Sequence, residues 1–225
     1  MKLPDKPLLA HRPRERLLEL GPGALTDAEL LAIMLRTGAR GCNVAELSHA
    51  LLSHFGCLRS LLNATPDALS AFYGLGQAKT TQIVAISELT RRAMLESLTE
   101  GNAMSQPEPV MQYCLATLGH LKIEHCIALY LNARLQLIAS AEVARGTLSE
   151  AAVYPREIVR KALETHAAAV ILAHNHPSGA CQASEADLLL TQKVKAALAL
   201  VDIRLVDHLI VAGHTCVSLA RTGQM

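Results

Sequence analysis

Apolar residues recur at helical spacing through the first hundred positions, then give way to short continuous apolar runs separated by amphipathic stretches. That change of period divides the chain near residue 100. In the first part, Asp27 to Arg36 follows Thr26 as a cap and is stopped by Gly38, and Val44 to Phe55 repeats the pattern, so helices of about ten residues dominate through about Leu98. The stretch from Glu100 to Pro109 has the polar, Gly- and Pro-bearing composition of a linker. Beyond it, His125 to Leu131 reads as a strand, and the next candidate strand ends near Glu142. Pro155 suits the first turn of a helix running to about Thr165, and Ala168 to Ala173 is a short, uncharged run of the kind that forms a buried strand. Ser184 opens a helical pattern to about Leu200, and Ile203 to Ala212 and Thr215 to Leu219 look like further strands. The pattern predicts a small all-helical domain over residues 1–100. It predicts an α/β domain over 101–225, with a mixed sheet flanked by helices. No internal repeat or low-complexity tract interrupts either part.

Composition narrows the class. With 225 residues, 51% of them hydrophobic, and a mean hydropathy of +0.25, the chain can bury one substantial core or two smaller ones. Its longest apolar runs, such as Ala167 to Ala173, are far too short to cross a bilayer, and Met1 to Lys6 lacks the apolar core of a signal peptide. Cysteines at 42, 57, 114, 126, 181 and 216 form no C-x-x-C pair and no close-set framework, which reads as reduced thiols in a cytoplasmic protein.

The densest chemistry lies at His174-Asn175-His176-Pro177, followed by Ser184 and Asp187. His174 and His176 sit at the exit of the buried strand. If the extended conformation persists to His176, the two rings share a face, with alpha carbons roughly 6–7 Å apart. Ser184 is an N-cap with Asp187 three residues on, so Asp187 falls in the first helical turn, where the helix dipole favours its charge. A Ser-x-x-Asp pair by itself is more often a capping arrangement than a ligand site. Two histidines at i and i+2 ahead of it make a ligand set, and capping is compatible with coordination. Zinc held by three protein ligands keeps a position for water or substrate, whereas structural sites are usually closed by four. The pattern points to a hydrolase. Histidine and carboxylate ligands also admit manganese or iron, oxygen-only ions such as calcium fit poorly, and zinc is the expected ion.

His174-x-His176, seven residues, Ser184, two residues and Asp187 resemble the JAMM motif of the MPN (JAB) metalloprotease superfamily. The variant His-Asn-His-Pro-Ser-Gly is similar to its RadC-like branch. Further matches are Tyr154 to Val159, the turn Arg145-Gly146-Thr147-Leu148 and Val206 to Val211. The resemblance covers nearly the whole chain and implies an MPN/JAB-like, cytidine-deaminase-like sheet domain. It also implies one zinc ion per chain and hydrolysis of an amide or isopeptide bond in an unidentified protein or peptide. A glutamate upstream of the histidines, not itself a ligand, is implied as the base that takes a proton from zinc-bound water and passes it to the leaving amine. Glu124, which precedes the His125 strand, is the best match, and Glu142 is the alternative. The resemblance assigns Ser184 to the oxyanion. Cys181, inside the turn between His176 and Asp187, is a candidate fourth, inhibitory ligand beside the commoner reading of a small structural cysteine.

Phe72 to Lys79, ahead of a helix to Arg92, resembles the helix-hairpin-helix element that binds nucleic-acid backbone. Gly74 and Gly76 would let main-chain N–H groups approach a phosphate, and Lys79 could add a direct contact. The plainer reading is that Gly-x-Gly links two packed helices. Charge adds nothing to the DNA reading. Residues 1–104 carry 11 Lys+Arg against 10 Asp+Glu, a difference of +1, and residues 105–225 carry 10 of each. Neither part has the basic excess of a strong nonspecific DNA binder, although Arg12, Arg14 and Arg16 cluster locally. Six aromatic residues supply little for base stacking. Any DNA affinity should be weak and should fall with salt. Two classes follow: a zinc-dependent peptidase or isopeptidase, or a DNA-associated repair accessory whose metal site is structural or vestigial.

Overall fold

The computed structural model describes residues 12–101, 103, 107–146 and 153–225. The Thr147-Leu148 end of the Arg145 turn and part of the expected linker lie outside the described residues. The chain forms two compact units that divide between Leu89 and Thr90.

In the first unit, helices α1 (Pro13–Leu20), α2 (Asp27–Leu35), α3 (Val44–Phe55), α4 (Leu58–Leu62) and α5 (Pro66–Ser70) precede α6 (Gln77–Glu100). Most of these helices start where a side chain satisfies the orphan N–H groups. Thr26 with Glu29 caps α2, Asn43 with Glu46 caps α3, and Thr65 caps α5. Their apolar faces meet in a core of Leu31, Leu35, Leu47, Leu51, Leu61, Leu69, Leu75 and Ile83. Arg16, from the basic cluster, is tied down internally, 2.5 Å from Glu29 and 2.6 Å from the Ala24 carbonyl.

α6 runs on to Glu100, and the expected linker is partly helical, because α7 (Pro107–Leu118) begins at Pro107. Proline is tolerated in a first turn, where no partner for its missing N–H is needed. The second unit is built on five strands, β1 (His125–Leu131), β2 (Leu137–Arg145), β3 (Ala169–Asn175), β4 (Arg204–Ala212) and β5 (Thr215–Ser218), in the order β2-β1-β3-β4-β5. Only the β3–β4 pair is parallel, as the sequence pattern of a mixed sheet predicts. Helices α8 (Pro155–Glu164) and α9 (Glu185–Ala199) complete the unit.

Alternation along the strands sorts their side chains to two faces. Ile127, Leu129, Ile171, Ala173, Leu209 and Val211 pack against α7 through Val110, Tyr113 and Leu118. Cys126, Ala128, Tyr130, Val170 and Leu172 pack against Ile158 and Ala162 of α8 and Val194 and Leu198 of α9. β3 is buried on both faces, which is why it reads as one unbroken apolar run. Among the described residues no helix is long and apolar enough to cross a membrane.

Candidate metal centre

His174 is the sixth residue of β3, so it faces the same side as Val170 and Leu172, toward α9. His176 follows two places on. Its main-chain N–H donates to the Val211 carbonyl at 2.8 Å, which carries the extended path past the end of the strand. α9 starts at the same end of the sheet and brings Asp187 in its first turn. His174 Nε2 lies 2.8 Å from His176 Nε2 and 3.1 Å from Asp187 Oδ1, and His176 Nε2 lies 3.3 Å from Asp187 Oδ2. His174 and Asp187 are wholly buried and His176 is nearly so.

The two carboxylate oxygens of Asp187 do different things. Oδ2 accepts from the Ser184 amide and the Ser184 hydroxyl, both at 2.7 Å, and the Asp187 amide donates back to Ser184 Oγ at 3.2 Å. That closes a capping box. No hydrogen bond reaches Oδ1, which is buried and turned to the histidines. Burial acts to raise the Asp187 pKa, but the His174 ring and the Ser184 donors outweigh it and hold the carboxyl well below the ordinary range, so it is an anion. His176 Nδ1 lies 2.7 Å from the Ala180 carbonyl, which can only accept, so Nδ1 carries a proton and the neutral ring has its lone pair on Nε2.

Two ring nitrogens and a carboxylate oxygen free of the capping box at these distances could hold a cation among them. Ligand atoms around tetrahedral zinc with bonds of about 2.0–2.1 Å are separated by about 3.3 Å, close to the two longer spacings. The donor types and the geometry therefore fit zinc. Cys181 is not among the convergent residues. Its thiol lies 3.8 Å from the Gly179 carbonyl, and the group that could hold a metal ion consists of His174, His176 and Asp187 among the described residues. A cavity of about 340 Å³ opens between the loops Gly119–Lys122 and His176–Gly179, with His176 but neither His174 nor Asp187 in its lining.

The residues around the ligands bear on the base. Cys126 of β1 pairs with His174 of β3 in antiparallel register. The main-chain ladder ends at that pair, and Glu124 lies two residues before it, immediately ahead of β1. Glu124 is half-buried, and its carbonyl accepts from the Gly146 amide at 2.9 Å. Glu142 pairs with Ile127 and so belongs to the α7 face, with its carboxylate 3.0 Å from His125 Nδ1 and half exposed.

Three functional residues had no role assigned from sequence. Asn175 accepts from the His125 amide at 2.7 Å and donates to the carbonyls of Leu121 and Ile123 at 3.2 and 3.0 Å, tying the approach to Glu124 onto the end of β3. His208 Nε2 lies 2.8 Å from His174 Nδ1, and His208 Nδ1 lies 2.6 Å from Thr191 Oγ1. Burial, and then the neighbouring His174, push the His208 pKa down to about 3, so the ring is neutral. Sequence showed Asn175 only as the middle of His-Asn-His and His208 only within the Val206 to Val211 match, and gave Thr191 no signal.

In the first unit, α5 and α6 flank the Gly74–Gly76 turn. Gly74 has φ +93°, and a Cβ there would lie 2.8 Å from the Ala39 Cβ and 2.9 Å from Leu47 Cδ1, so this glycine serves close packing. Gly76 has open space around it. The Lys79 ammonium donates to the carbonyls of Gly38 at 2.6 Å and Gly74 at 3.1 Å, which makes it an internal tether.

A family model described as a RadC-like JAB domain matches residues 104–224, and one described as UPF0758 N-terminal matches residues 8–81. The UPF0758 protein of Bordetella parapertussis is 56% identical over 225 residues, covering both chains in full. The UPF0758 protein of Bordetella bronchiseptica is 55% identical over the same span. That of Chromobacterium violaceum is 48% identical over 214 residues, 95% of this chain and 96% of its own.

Proposed function

Since the chain belongs to the RadC-like JAB domain family, we propose that it is a zinc-dependent metallopeptidase or isopeptidase that hydrolyses an amide bond in a protein or peptide. The observation that carries this reading is the buried Asp187 Oδ1, kept clear of the capping box and aimed at two histidine rings. His174, His176 and Asp187 would hold the ion. Bound there, zinc supplies Lewis acidity, which acidifies water toward neutral pH and polarises the scissile carbonyl.

The protein groups do the rest. Glu124 takes the proton of the attacking water and hands it to the departing amine, a role commonly worth about 10²–10⁴ in rate. Its support is the resemblance to the JAMM pattern and its place directly before β1, whose Cys126 pairs with His174, whereas the Glu142 carboxylate lies 3.0 Å from His125 Nδ1. Ser184 holds Asp187 through Oδ2. Its hydroxyl proton would have to leave that oxygen to stabilise a developing oxyanion, where one donor is commonly worth about 10²–10³. The DNA-associated reading gains no support from Lys79, whose ammonium is spent on main-chain carbonyls.

The test is metal analysis of protein purified without chelator, joined to a peptide and isopeptide substrate screen on the native protein and Glu124→Gln. We expect near-stoichiometric zinc in both and a loss of at least about 10²-fold in hydrolysis for Glu124→Gln. Zinc-loaded Glu124→Gln with undiminished hydrolysis, or native protein without bound metal, would overturn it.

A further inference from the structure

The Thr191 hydroxyl lies 2.6 Å from the main-chain carbonyl of Asp187, one helical turn earlier. A carbonyl oxygen can only accept, so the hydroxyl proton is committed to it. Back-bonded threonines are ordinary on helices. What gives this one a consequence is His208 Nδ1, 2.6 Å from the same Oγ1. With its proton spent, Oγ1 meets the ring through a lone pair, and His208 Nδ1 must be the donor. A neutral imidazole carries one N–H, so His208 Nε2 is an acceptor. His174 Nδ1 lies 2.8 Å from that nitrogen and must donate to it. The single N–H of a neutral His174 is therefore on Nδ1, and its lone pair is on Nε2, the atom that faces His176 and Asp187.

Every group in the sequence has 0% exposure, so water cannot substitute for a partner or reverse the order. The path starts at the main chain of Asp187 and ends at the ring beside its side chain, so one residue of α9 supplies both a ligand oxygen and the reference for the ring. We propose that Thr191 and His208 are positioning residues that set the tautomer of His174 and thereby present its Nε2 lone pair to the metal ion. The inference rests on the metal reading of the centre for its consequence, but the tautomer itself is a property of the protein alone. Partners of this kind behind a ligand histidine commonly change metal affinity 10- to 100-fold when removed.

The experiment has two arms. Long-range ¹H–¹⁵N correlation spectra of ¹⁵N-labelled, metal-free protein read the ring protons directly, and we expect Nδ1–H at His174 and His208; a His174 Nδ1 without a proton overturns the proposal. Zinc affinity by chelator competition is then compared for native protein, Thr191→Val and Thr191→Ser. Valine removes the hydroxyl at constant shape and should weaken zinc about 10- to 100-fold, while serine should stay within about threefold of native. Equal affinity for Thr191→Val and native protein, with the His174 tautomer retained, also overturns it. Should Thr191→Val fail to fold, His208→Gln against His208→Leu replaces it, because the glutamine amide has both an acceptor and a donor where leucine has neither. A native protein that binds no divalent metal ends the metal reading, and the first arm still decides the relay.

Discussion

Replacing Asn175 with alanine tests whether the end of β3 holds the loop that carries Glu124. The Asn175 side chain, on a residue 2% exposed, makes three hydrogen bonds: one from the His125 amide and two to the carbonyls of Leu121 and Ile123. Each is worth about 0.5–1.5 kcal/mol net, and a buried N–H left without a partner costs about 1–3 kcal/mol. The His125 amide is the one that loses its partner, because the main-chain ladder between β1 and β3 ends at Cys126 and His174. Asn175→Ala should therefore destabilise by about 2–4 kcal/mol. Urea unfolding with an unchanged m-value measures it, and hydrogen exchange should show the His125 amide losing protection. Zinc affinity should change less than threefold, since no ligand is touched, while hydrolysis falls because Glu124 is no longer held. Asn175→Asp keeps an acceptor for His125 but turns a carboxylate toward two carbonyl oxygens, so at pH 7 it should be no milder. A loss below about 0.5 kcal/mol with His125 protection intact would show that the loop is held by something else.

The metal-free protein should lose stability on mild acidification through His208. Its folded pKa is depressed to about 3 while an unfolded histidine titrates near 6.5, so the unfolded chain takes up the proton first, and stability present above pH 6.5 drains away as pH falls toward 3. At up to about 1.4 kcal/mol per pH unit, the loss between pH 6.5 and 4 is about 3 kcal/mol. Denaturant unfolding in chelator across that range should give His208→Gln a flatter profile than native protein, and equal slopes would refute the assignment. In the first unit, Gly74→Ala forces a positive φ on alanine and drives its Cβ against Ala39 and Leu47, which should cost about 2–4 kcal/mol in urea unfolding. Unchanged stability with weakened DNA binding would instead favour a phosphate-facing role for that turn.

The parts of the centre that are local in sequence were legible there. His174 and His176 share a face because a strand alternates, and Ser184 and Asp187 meet because a helix cap spans three residues. The choice between Glu124 and Glu142 was not legible. It turns on pairing parity, and the β1–β2 register shifts between Cys126 and Ile127. The partners of Asn175 are 50 to 54 residues away and those of His174 include one 34 residues away, distances over which no sequence period reaches. Helix α7 was hidden for another reason: Pro107 and Pro109 look like breakers in a polar stretch, yet in a first turn neither is asked to donate.

Capping and coordination at Ser184–Asp187 are separated by burial, which the sequence does not print. Thr26 with Glu29 and Asn43 with Glu46 form boxes of the same kind, and in both the acidic residue is at least partly open to solvent. Those caps do their work without burying a charge. Asp187 makes the same pair of bonds to Ser184 at 0% exposure, where an uncompensated carboxylate costs several kcal/mol. Capping explains one of its oxygens and leaves that cost standing. Its other oxygen faces His174 and His176, and so the box at α9 reads as part of a candidate metal centre where the boxes at α2 and α3 read as caps alone.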